Sequence, residues 1–132
     1  MKLSIQKDLE KARAIIELVE KRKEFVSSFK DKKFTTIICE NYYEIIKELS
    51  TALFLSKGIR FIGEYAHKEL IEETTKILNL EESYLVFLDD FRIRRNGSLY
   101  YGEQFENNYL ENSENKIKFI INSIEKYLKN RL

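Results

Sequence analysis

The chain has 132 residues, about one domain in length, of which 43% are hydrophobic and 34% charged. That mixture supports a buried core under a solvated surface; it excludes a disordered chain and a membrane-crossing helix, since no apolar run approaches the roughly 18 residues needed. With 23 basic against 22 acidic residues the net charge is +1, so bulk electrostatics selects no partner and disfavours avid nonspecific nucleic-acid binding.

Proline is absent and glycine occurs four times, a composition that favours long helices with few tight turns. From Lys2 to Glu24 charged and apolar residues interleave, with no apolar block of the kind a secretory signal carries. Ile5, Leu9, Ala12, Ile16 and Val19 recur at three and four residues, which predicts a first helix from about Ser4 to Phe25. Asp31 is placed to cap a second helix, whose apolar face runs Phe34, Ile38, Tyr42, Ile45, Leu49 and Leu53; Gly58 then supplies a stop. The only cysteine, Cys39, excludes an internal disulfide and a zinc site built on paired cysteines. Lying in Thr36-Ile37-Ile38-Cys39, it reads as a small buried side chain rather than a nucleophile, and a reducing cytoplasm fits this usage.

A third helix is expected over Glu64 to Leu78, with Ala66, Leu70, Ile77 and Leu78 inward. Asn79 and Glu82 have the spacing of a capping box that would open a fourth helix, which turns Tyr84, Leu85, Leu88 and Phe91 inward. Asn96-Gly97 disfavours smooth continuation, so a kink or break is expected there. The last helix carries the stripe Ile117, Ile120, Ile121, Ile124 and Leu128. No segment alternates as a strand between turn signals. The expectation is one all-α domain over residues 1–132, an antiparallel bundle of about five helices.

Charge is uneven along the chain. Lys21 to Lys33 sums to +4, Glu103 to Glu114 to −4, and Lys116 to Arg131 to +4. Such runs either steer a partner or are simply the solvated faces of helices.

The densest chemistry lies in Asp89-Asp90-Phe91-Arg92-Ile93-Arg94-Arg95-Asn96-Gly97-Ser98-Leu99-Tyr100-Tyr101-Gly102. Arginine presents a planar fork of donors that suits phosphate oxygens, and tyrosine adds a hydroxyl and a stacking face, a set that fits RNA or a nucleotide phosphate. The same residues can also satisfy one another, Asp90 with Arg94 at four residues and Asp89 with Arg92 at three. Arg92 and Arg95 share a helix face from which Arg94 is excluded.

Asn41-Tyr42-Tyr43-Glu44, followed by Ala52-Leu53-Phe54-Leu55-Ser56-Lys57-Gly58-Ile59-Arg60, resembles the second helix and following turn of HEPN domains. Downstream, those domains carry Arg-Asn and, four to six residues beyond the arginine, a histidine. Arg95-Asn96-Gly97-Ser98-Leu99-Tyr100 has that spacing, with Tyr100 at the histidine position. The form Arg-Asn-x-x-x-Tyr-x-Gly is similar to a variant met among archaeal members. The resemblance spans roughly Phe34 to Gly102 and implies a homodimer whose arginine motifs meet in an interface cleft. In active members that cleft is a metal-independent endoribonuclease, without cofactor. Carried over by position, Arg95 would hold the phosphate, Asn96 would orient the site and Tyr100 would stand where the general base belongs.

A tyrosine has an ordinary pKa of about 10 against about 6.5 for histidine, so near neutrality it is a poorer base by roughly 4 kcal/mol. The resemblance therefore implies RNA or nucleotide binding with weak or absent cleavage. It also implies two alternatives: a module that pairs with a nucleotidyltransferase in a toxin–antitoxin system, with Tyr101 adjoining the motif as a nucleotide acceptor although not at the usual position, and an active metal-independent endoribonuclease that uses tyrosine chemistry. Among the further candidates, Glu48 matches an acidic residue of the second helix that lines the cleft. His67, the only histidine, is either a partly exposed helix residue or a substitute for the missing one. Glu44 and Glu48, four apart, have a spacing that can ligate metal, but without a Glu-x-x-His partner surface pairing such as Glu44 with Lys47 is preferred, and no metal is expected. Arg92 joins the binding set, and Tyr100, Tyr101 and Phe105 form the aromatic group beside it.

Overall fold

The computed structural model describes residues 1–132. Five helices make an all-α bundle: α1 (Leu9–Ser27), α2 (Thr35–Leu55), α3 (Ala66–Ile77), α4 (Glu82–Tyr101) and α5 (Tyr109–Lys129). α2 is the axis. Thirteen of its 21 residues are buried, from Thr35 to Leu55, because all four other helices pack against it. The expected α5 stripe of Ile117, Ile120, Ile121, Ile124 and Leu128 is buried throughout, and Cys39 is fully enclosed. Burial pushes the Cys39 thiol up to about 12, so it carries no thiolate at neutral pH. No helix is long and apolar enough to cross a membrane.

Four local expectations are corrected. Lys2–Ser4 is not helical: it forms a short antiparallel pair with Ile59–Phe61, strands β1 and β2, with Leu3 opposite Arg60. Three residues are too few to show alternation, so neither strand is legible in sequence. α1 therefore starts later, at Leu9, where the Asp8 carboxylate accepts from the Lys11 N–H at 3.0 Å. Gly58 has φ +73°, and a Cβ there would lie 2.7 Å from the Ile5 carbonyl oxygen, so glycine both ends α2 and admits the first strand. Asp31 caps a turn of 3₁₀ helix, Lys32–Phe34, that leads into α2, rather than capping α2 itself.

Asn79 ends α3 instead of opening α4. It adopts φ +53°, its N–H reaches the Lys76 carbonyl and the Leu80 N–H reaches that of Thr75, both at 3.0 Å. That is the Schellman arrangement, with asparagine in the left-handed position usually held by glycine. Asn96-Gly97 causes no break, and α4 continues to Tyr101. The bare Gly97 backbone lies under the Glu103 side chain, which folds back over the last turn; the stop falls at Gly102, where φ is +67°.

Candidate functional site

The site grows from the side of α4 that faces α2. Arg92 and Arg95 lie on that side; Arg94 points away, pairing with Asp90 at 2.8 Å and lying over the Tyr109 ring. The two expected pairs inside the helix are both formed, Asp89 with Arg92 at 2.9 Å being the other. Arg95 is only 14% exposed. Its guanidinium pairs with Glu44 of α2 and lies 5.3 Å from the centre of the Tyr43 ring. Glu44 in turn holds Lys47, one turn along, at 2.7 Å. Three cations, Arg92, Arg95 and Lys47, thus share two carboxylates, Asp89 and Glu44.

Two buried polar atoms in this cluster have no protein partner, the Arg95 Nε–H and the Tyr43 hydroxyl. Tyr43 is 1% exposed, and burial pushes its phenol up to about 12 against the pull of the neighbouring Arg95 and Arg92. Leaving such groups unpaired costs about 1–3 kcal/mol each.

Glu48, carried over as the acidic residue of the cleft, is elsewhere. It pairs with Arg22 of α1 at 2.9 Å and ties α1 to α2. Glu44 occupies the place by Arg95, and nothing local could reveal this, because 51 residues separate the two in the chain. Glu44 and Glu48 are committed to different partners, with Glu44 and Lys47 paired as the sequence suggests. His67, in the first turn of α3, is exposed and makes no hydrogen bond to Arg95 or Tyr100. Partial burial, with Lys47 and Arg95 adding repulsion, still lowers its pKa below the ordinary value, which places the ring in the field of the cluster.

Tyr100 is not brought to Arg95 within one chain. Five residues turn a helix by about 140° beyond a full circle, so the phenol leaves on the outer side. Tyr100 and Tyr101 are 70% and 80% exposed, while Asn96 is half-buried between the two sides. Phe105 leaves the expected aromatic group altogether: it is buried in the core, and its N–H reaches the Thr36 hydroxyl at 2.9 Å. The outer side of α4 instead carries Val86, Ile93 and Tyr100, seven residues apart and each more than half exposed. Comparison with protein-family models, curated proteins and solved structures finds no match.

Proposed function

We propose that the chain is a HEPN-like helical bundle that pairs with a second copy along the outer side of α4. In this reading it binds RNA or a nucleotide phosphate beside Arg92, Arg95 and Asn96, with little or no ribonuclease activity. The observation that carries the reading is a cluster with one cation in excess, Arg92, Arg95 and Lys47 against Asp89 and Glu44. The surplus charge would hold a phosphate oxygen at the partly exposed Arg92 and Lys47 side of the cluster. The Val86–Ile93–Tyr100 line supports the pairing, as a row of exposed apolar and aromatic side chains that a second copy would cover. Tyr100 then lies at the seam, on the other side of α4 from Arg95, where it can reach only RNA that extends beyond the phosphate site.

Filter retention of labelled RNA tests the site. Arg95→Ala is expected to weaken binding about tenfold, the loss of one charge-assisted contact, with the helical circular dichroism retained. Unchanged retention sinks the reading. Gel filtration tests the seam in parallel: Ile93→Glu should convert a dimer to a monomer, and a wild-type monomer rejects the pairing. Incubation of RNA with the protein and a chelator should give little cutting.

The exposure of Tyr101 favours a second reading, a module that partners a nucleotidyltransferase and accepts a nucleotide on that phenol. Co-purification from the native host decides between them: a bound transferase and a nucleotide mass on Tyr101 would favour the second.

A further inference from the structure

The three runs of one charge sign are distant in the chain, yet the fold gathers parts of all three around one cleft. α1 and α5 both pack on α2 but scarcely on each other. A groove of about 730 Å³ opens between them, floored by Thr35, Ile38 and Tyr42 of α2. Glu111, Glu114, Asn115, Lys118 and Asn122 recur at three and four residues along α5, so one continuous polar side of that helix looks into it. Lys30 and Lys32, on the link between α1 and α2, stand on its rim. Two ion pairs span the groove, Lys23 with Glu125 at 2.9 Å and Lys32 with Glu111 at 3.2 Å.

The cleft presents one weakly held carboxylate. Tyr42 is 8% exposed, and its hydroxyl finds only Glu114, at 3.4 Å. The other Glu114 oxygen meets only Lys118, also at 3.4 Å. The Glu114 side chain is 38% exposed and both its protein contacts are longer than the ~2.5–2.9 Å of strong bonds to a carboxylate, so its two oxygens face the open cleft and can exchange water for a donor pair. On the rim, Lys32 and Lys118 pair with Glu111 and Glu114, whereas Lys30 pairs with no carboxylate.

We propose that this cleft binds a guanine nucleotide, with the base edge on Glu114 and the phosphate on Lys30 and Lys118. Guanine is the common base that presents two adjacent N–H donors, the ring N1–H and the exocyclic amine, in the parallel geometry a carboxylate accepts. Val26, Ile38 and Ile121 supply apolar contacts for the ring. Once Glu114 takes the base, Lys118 is released to the phosphate. The volume lies within the ~300–1,000 Å³ of small-molecule sites. The cleft shares no residue with the Arg95 cluster, so the two sites stand or fall separately.

Isothermal titration calorimetry of the full chain with GMP, AMP and inorganic phosphate tests the assignment. GMP should bind saturably, with AMP and phosphate about tenfold weaker or more. Glu114→Gln should cost GMP about tenfold, and Lys76→Ala, at an exposed position of α3 outside both sites, should cost it nothing. Lys30→Glu, at an exposed rim position, should also weaken GMP and serves if Glu114→Gln fails to fold. Equal affinity for GMP and AMP, phosphate binding as tight as GMP, or no binding at millimolar GMP would each overturn the proposal.

Discussion

Glu44→Gln is expected to move stability and RNA retention in opposite directions. Glu44 holds Arg95 and Lys47 together and joins α2 to α4, with only 17% of its side chain exposed. The amide keeps the shape but offers one acceptor oxygen in place of two, so one of the two cations keeps a weaker bond and the other faces an NH2 donor and loses its own. The expected loss is about 1–3 kcal/mol of folding stability, read as a lower urea midpoint at unchanged slope. The same carboxylate competes with phosphate for Arg95. Removing a unit charge about 4 Å from a bound anion relieves roughly 1 kcal/mol even at the dielectric of water, so RNA should be retained roughly fivefold more tightly. Arg95→Ala, by contrast, should lower both. If the glutamine variant weakens RNA as much as the alanine variant does, the Glu44–Arg95 pair is structural and the phosphate lies elsewhere.

The largest stability effect is expected from Phe91→Ala. Phe91 is fully buried, with Tyr43, Phe87, Phe105 and Tyr109 each 5.6–5.9 Å away between ring centres. It joins α4 to α2, to α5 and to the segment after Gly102. Truncation removes the ring and leaves a cavity that four aromatic neighbours cannot collapse into without losing their own contacts. The cost is about 3–5 kcal/mol, which for a chain of this size lowers the melting temperature by roughly 10–20 °C. Thermal unfolding followed by circular dichroism measures it directly, and a shift of only a degree or two would show that the aromatic group is not the centre of the core. Because Tyr43 lies between Phe91 and Arg95, RNA retention by any folded fraction should also fall.

The reading of Arg92, Arg94 and Arg95 shows how far local spacing reaches. Pairing of Asp89 with Arg92 and of Asp90 with Arg94 follows from helical geometry alone, and both pairs are present. The separation of Arg94 from the other two follows from the same geometry. The partner of Arg95 does not. Glu44 and Glu48 are equivalent in sequence, each a glutamate on α2 one turn from the other. Their orientation around that helix decides the matter: Glu44 faces α4, and Glu48 faces Arg22 of α1.

Helix content, the α5 stripe, the burial of Cys39 and the pairing inside α4 were determined by the sequence itself, because each depends on residues within one or two turns. Periodicity and short-range charge are properties of the chain before it folds. Packing decided the rest. The β1–β2 pair rests on partners more than fifty residues apart, and the Glu103 side chain packs where a Cβ at Gly97 would stand, in a helix that runs on to Tyr101. The three charge runs became a single cleft only because α1 and α5 lie side by side on α2 without touching closely. Contacts between distant segments depend on the angle at which each helix presents its side chains to its neighbour, and that angle is set by the whole core at once.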